Sequence, residues 1–140
     1  MPINYPATTI LLIDHHDDDR EYWVQRLRIS SPDYVVLEAS TGKAGLAICQ
    51  SQQVECVISE LTLPDMSGFE VLLQVVPKRN RPETAFIFLT RLTLSPMKHL
   101  ALNNGAQAYV VKSQSSCDAL DHTIRKALAT VALTRKERRS

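Results

Sequence analysis

The chain has 140 residues, 44% hydrophobic and 22% charged, with a net charge of +1. That is the length of one domain, able to bury roughly two-thirds of its surface without disulfides or a structural metal, and too apolar for a disordered segment. Four bases (Arg135, Lys136, Arg138, Arg139) crowd the C-terminal stretch, and the body without it is slightly acidic, which argues against a nucleic-acid-binding core.

The first element is the continuous run Thr8-Thr9-Ile10-Leu11-Leu12-Ile13, predicted as a strand covered on both faces and stopping at Asp14. Asp17-Asp18-Asp19 are read as first-turn acids of a helix that carries Trp23, Val24 and Leu27 on one side. Ser31-Pro32-Asp33 breaks the chain before a second strand, Tyr34-Val35-Val36-Leu37. Ser40 or Thr41 caps the next helix, through Ala44, Ala47 and Ile48. A third strand is predicted from Val54 to Ser59. The loop Leu63-Pro64-Asp65-Met66-Ser67-Gly68 follows, then a helix from Phe69 to about Val76, its exit bounded by Pro77 and Pro82.

Ala85-Phe86-Ile87-Phe88-Leu89 is the fourth strand. Ser95-Pro96 is read as a cap followed by proline at the first helical position, and that helix stops at Asn104-Gly105. Ala108-Tyr109-Val110-Val111 is the fifth strand. Ser115-x-x-Asp118 resembles a capping box opening a last helix, with Leu120, Ile124, Ala127, Leu128 and Val131 on one stripe. The expected division is an N-terminal tail over 1–7, one domain over 8–130, and a basic helix extension or linker over 131–140.

Five strands alternating with five helices imply parallel β-α units: an open, doubly wound α/β sheet with helices on both faces. Ligands of such sheets bind beyond the carboxyl ends of the strands. The residues delivered there are Asp14, His15 and His16 after strand one, Glu60 after strand three, Thr90 after strand four and Lys112 after strand five. Carboxylates, a hydroxyl and an ammonium on one rim make a charged pocket.

These residues resemble the receiver domain of two-component response regulators. The resemblance rests on Ile10-Leu11-Leu12-Ile13-Asp14, Leu61-Thr62-Leu63-Pro64-Asp65-Met66-Ser67-Gly68, Leu89-Thr90 and Gly105-Ala106-x-x-Tyr109-x-x-Lys112, and covers about Thr8 to Leu128. It implies the flavodoxin-like strand order 2-1-3-4-5. It also implies a signalling module rather than an enzyme: a histidine kinase passes a phosphoryl group to an aspartate ending strand three, with Mg2+ held by the acidic pocket. Threonine after strand four and lysine after strand five then contact the phosphoryl oxygens. An aromatic residue on strand five shifts, and partners read the face of helix four, strand five and helix five.

The chain departs from this pattern at the chemistry. Glu60 stands at the acceptor position, His15 replaces the second acid, Arg91 replaces a small residue after Thr90, and Ser113 replaces proline after Lys112. A glutamyl carboxylate reaches farther than an aspartyl one, toward Lys112 and Thr90, and displaces any phosphoryl group from donor geometry. Misplacement on that scale costs roughly 100-fold in rate. A neutral imidazole at His15 weakens Mg2+ binding through Asp14, Glu60 and Thr62, and nitrogen donors favour softer metals. The proton on His15 is expected to pair with Asp14 or Glu60. Arg91 either swings into water or gates the pocket, paired with Glu60. Thr90, Tyr109 and Lys112 keep the phosphate-contact and switch positions.

The expectation is therefore a degenerate receiver, or pseudo-receiver, acting by contacts with a histidine kinase or downstream regulator, with a homodimer through the helix four–strand five–helix five face as an option. Alternatives are a relay module of a larger hybrid sensor histidine kinase or multidomain regulator, and a metal-dependent phosphohydrolase built on Asp14, His15, His16 and Asp17 to Asp19. The phosphohydrolase reading is discounted because consecutive residues after a strand point in different directions. Tyr22 and Trp23 are read as packing residues, and His99 and His122 as surface. Three cysteines without a C-x-x-C pair (Cys49, Cys56, Cys117) suggest a reducing setting and no zinc site. No apolar run is long enough to span a membrane, and Met1 to Pro6 lacks a charged n-region, so a cytoplasmic location is expected.

Overall fold

The computed structural model describes residues 7–77 and 83–139, with side chains through Thr134. Residues 1–6 of the expected tail, Pro82 and the basic side chains after Thr134 lie outside the described set. The elements in order are β1 (Thr8–Ile13), α1 (Asp17–Ser30), β2 (Tyr34–Ala39), α2 (Gly42–Ser51), β3 (Cys56–Ser59), α3 (Gly68–Val75), β4 (Ala85–Thr90), α4 (Ser95–Asn103), β5 (Ala108–Val111), a short 3-10 turn over Lys112–Gln114, and α5 (Cys117–Arg139).

The sheet is parallel throughout, in the order β2-β1-β3-β4-β5. Strands covered on both faces have no reason to alternate. Accordingly Ile10 to Ile13, Cys56 to Ser59 and the whole of β4 are buried, whereas edge strand β2 alternates. Side chains one residue apart divide between two cores. Ile10 and Leu12 pack with Trp23, Val24 and Leu27 of α1 and with Leu120 and Ile124 of α5. Leu11 and Ile13 face the other way, and pack with Val71 and Leu72 of α3, Phe86 and Phe88 of β4, and Ala101 of α4. No described helix is long and apolar enough to cross a membrane.

Local chemistry sets the helix starts. Of the two expected caps for α2, Thr41 is the one that serves, accepting from the Ala44 N–H at 3.0 Å. In α4 the cap residue is Leu94, and Ser95 is already helical, which puts Pro96 second rather than first. The hydroxyl that caps α5 belongs to Ser116, which accepts from Ala119 N–H at 3.1 Å; Ser115 bonds forward to the Ser116 carbonyl instead. β3 is also shorter than expected. Val54 is buried but precedes the ladder, and Glu55 bonds to Thr9 at its edge.

Candidate functional site

The carboxyl ends of β1, β3, β4 and β5 meet on one rim, and the hydrogen bonds that continue the ladder place their last side chains. Asp14 N–H donates to the Ala39 carbonyl at 3.0 Å, and Glu60 N–H to the Ile13 carbonyl at 2.9 Å. The loop after β3 then doubles back. Gly68 N–H donates to the Leu61 carbonyl at 2.6 Å, so closely that a Cβ there would meet the Glu60 carbonyl and the Phe88 ring. Asp65 in the same loop accepts from the Gly42 and Lys43 amides at 2.9 and 2.8 Å, tying the loop to the start of α2. Those amides hold the Asp65 carboxyl below its ordinary range.

At the centre lies the Lys112 ammonium. Its Nζ is 2.6 Å from Asp14 Oδ2, 2.8 Å from Asp19 Oδ2 and 3.0 Å from Glu60 Oε2. The Glu60 contact is an ion pair, and Oε2 makes no hydrogen bond of its own. The Lys112 side chain is 8% exposed, Asp14 2% and Glu60 4%. Burial pulls the lysine pKa down, but the bonds to Asp14 and Asp19 and the charge of Glu60 outweigh it, and the net shift is upward. An ammonium has three N–H donors and here meets three carboxylates.

The sequence pattern marks Asp19 only as a helix-start acid. The structure makes it a member of the cluster: its Oδ2 also accepts from Arg91 Nε at 2.9 Å. The Arg91 bond is the main cause that holds its carboxyl at about 2, against burial and with help from Lys112. Arg91 thus neither hangs free nor pairs with Glu60 as expected. It crosses the rim to Asp19 and stays 58% exposed. Helical spacing could have found Asp19, which sits four residues before buried Trp23 and eight before Leu27, whereas Asp17 is 81% exposed.

The pairing expected of His15 falls to its neighbour. It is His16, not His15, that meets Asp14: its backbone N–H donates to Asp14 Oδ1 at 2.9 Å and its Nδ1 lies 3.0 Å from the same oxygen. His15 Nδ1 is buried with no hydrogen-bond partner, and its ring centroid lies 3.9 Å from that of His16. Ligand atoms of Asp14, His15 and His16 fall within 4.8 Å of one another, so these consecutive side chains converge after all. The turn from strand to helix, with His16 as the cap residue at φ −80, breaks the strand's alternation.

Three other expected positions lie around the cluster. Thr90 is fully buried at the end of β4, its hydroxyl accepting from Leu92 N–H at 3.2 Å. Tyr109 donates its hydroxyl to the Leu92 carbonyl at 2.8 Å, and burial, then the charge of Glu60, pushes the phenol up. Thr62 is exposed and forms an isolated bridge with Ser67.

The donor set does not fit Mg2+, the cation that the resemblance implies. Mg2+ binds oxygens in a near-octahedral shell and gives up water reluctantly. Asp14 Oδ2 and Glu60 Oε2 both face the Lys112 ammonium, Glu60 Oε1 accepts from the Leu61 amide at 2.9 Å, and the next side chain offers nitrogen.

A family model described as the response regulator receiver domain matches residues 10–125. The chain is 30% identical over 107 residues to a probable cyclic di-GMP phosphodiesterase of Vibrio cholerae, covering 76% of this chain and 24% of that protein. It is 26% identical over 119 residues to the transcriptional regulatory protein YdfI of Bacillus subtilis, covering 85% of this chain and 54% of that one. Among solved structures it is similar to a response regulator receiver domain protein from Clostridium thermocellum, at 27% identity, TM-score 0.78, and 90% and 98% of the two chains. The chain spans 24% of the first of these curated relatives and 54% of the second.

Proposed function

Because the chain belongs to the response regulator receiver domain family, and is thus a receiver domain of two-component signalling, we propose that it signals by protein contacts without the usual phosphorylation cycle. The observation that carries this reading is the Lys112 ammonium, within 3.0 Å of Asp14, Asp19 and Glu60 together.

Phosphoryl transfer to a carboxylate needs a free attacking oxygen and positive charge held ready for the incoming oxygens. At Glu60, Oε1 accepts a backbone N–H and Oε2 faces Lys112. The lysine that would receive the phosphoryl oxygens is consumed by resident carboxylates, and the threonine hydroxyl at the same rim accepts from its own loop. In this reading Glu60 and Lys112 are a permanent substitute for an acyl phosphate, and the domain carries no enzymatic activity of its own. Any Mg2+ binding is weak.

The contacts run to a histidine kinase or a downstream regulator protein in the cytoplasm. The face of α4, β5 and α5 exposes Leu94 and Leu102, which suits a partner or a second copy. The test is incubation with a small phosphodonor and Mg2+, followed by intact mass. The unmodified mass is expected; stoichiometric, base-labile phosphate on Glu60 would overturn the reading.

A second reading, the receiver module of a larger hybrid kinase or multidomain regulator, is favoured by the longer curated relatives and by α5, which runs 23 residues to Arg139. An open reading frame continuing past Ser140 into a kinase or output domain is the observation that decides it.

A further inference from the structure

The mismatch with Mg2+ leaves two imidazoles and the second oxygen of Asp14, which the proposed signalling role does not use. We propose that Asp14, His15 and His16 form a binding site for a divalent transition-metal ion of the zinc or nickel class, separate in its donors from the Lys112 cluster and joined to it through Asp14.

Three observations carry the site. First, the donor atoms lie within 4.8 Å of one another. Asp14 Oδ1 and His16 Nδ1 are 3.0 Å apart in a hydrogen bond, and an ion displacing its proton needs them to separate only to about 3.4 Å, the edge of a tetrahedral shell with bonds near 2.1 Å. Second, His15 Nδ1 is buried without a partner, and a buried polar atom in that state asks for an explanation. A metal ion bound to that nitrogen supplies one. Third, both imidazoles are only half-buried, so an ion enters from solvent and keeps water on its remaining positions. Imidazole nitrogen with one carboxylate suits zinc and nickel and disfavours magnesium.

Asp14 divides its two oxygens between the two assemblies. Oδ2 holds Lys112 and Oδ1 faces His16. A dication at Oδ1 therefore sits near the Lys112 ammonium, with the Arg20 guanidinium also close through its 2.7 Å bond to the Asp14 carbonyl. These like charges limit affinity. The ion and the ammonium compete for one carboxylate, so metal loading loosens the tie between β1 and β5.

The test is calorimetric titration of Zn2+ alone into the metal-free full chain, with Mg2+ as comparator and imidazole 15N shifts as the structural readout. The site predicts one Zn2+ per chain, shifts at His15 and His16, and Mg2+ binding that is far weaker. His15→Ala and His16→Ala each lower Zn2+ affinity by more than about tenfold, and Lys112→Gln raises it by removing the competing charge. Circular dichroism confirms that each variant is folded. Should a single histidine variant fail to fold, the 15N shifts of the wild-type chain decide. Zn2+ binding that is unchanged in both histidine variants, or that leaves both imidazoles unshifted, overturns the site. The outcome is independent of phosphorylation: a chain that takes phosphate on Glu60 and still loses Zn2+ binding in the histidine variants sinks the signalling proposal and keeps the metal site.

Discussion

Glu60 Oε2 and Lys112 Nζ lie 3.0 Å apart, one at the end of β3 and the other at the end of β5, with β4 between them. The extra methylene of glutamate, about 1.5 Å of reach, closes that gap. An aspartate on the same backbone would stop short and leave space above the sheet. The length of one side chain thus separates an open acceptor pocket from a closed ion cluster.

Restoring the shorter acid is therefore expected to reopen the pocket, provided that the second acid returns as well. Glu60→Asp combined with His15→Asp should gain one phosphoryl group from a small phosphodonor in the presence of Mg2+, read by intact mass. Glu60→Asp alone should gain far less. A double variant as inert as the wild type would place the block elsewhere, with the Arg91–Asp19 pair across the rim as the next suspect.

Removing the ammonium leaves the buried Asp14 and Glu60 carboxylates without the cation between them, while Asp19 keeps Arg91. Lys112→Met should destabilise the fold by about 3 kcal/mol, the range typical of breaking a buried pair from one side, seen as a lower urea midpoint. Adding Glu60→Leu should recover part of the loss, because the uncompensated buried charge goes with it.

Acid should act through Asp19. Its carboxyl sits at about 2 in the folded chain against an ordinary 3.8. Across that interval the unfolded chain binds the extra proton, so the contribution is complete above pH 4 and drains away as pH falls toward 2. Asp19→Asn should flatten the stability profile in that window and leave its shape above pH 5 unaltered. Urea midpoints measured at half-unit pH steps check this.

Gly68→Ala should cost about 2–3 kcal/mol, because the new methyl has backbone on one side and the Phe88 ring on the other. The thermal midpoint measures it. Since the loop that bears Gly68 also positions Glu60, the same substitution should shift the Lys112 side-chain resonances.

Much of this was legible in the chain because burial on both faces writes itself as unbroken apolar runs. Thr8 to Ile13 and Ala85 to Leu89 announced their strands, and the residue after each run, Asp14 or Thr90, then had to stand on the rim. Asp19 was hidden by its neighbours: three consecutive aspartates look alike at a helix start, and only the turn of the helix sorts the inward one from Asp17. The convergence of His15 and His16 was hidden because alternation is a property of strands, and the chain has left the strand by then. Where hydroxyl residues adjoin, either satisfies the same rule: the pair Ser40-Thr41 stayed open until the structure chose Thr41, and at Ser115-Ser116 the cap slipped by one residue.

The Lys112 bonds join segments 98 and 93 positions apart along the chain, and contacts of such separation are among the last a folding molecule completes. Their loss should fall on the lifetime of the native state rather than on its rate of formation. In stopped-flow experiments Lys112→Met would then steepen escape from the folded basin while refolding proceeds nearly unaltered, which makes one ammonium the clasp that decides how long the molecule stays shut.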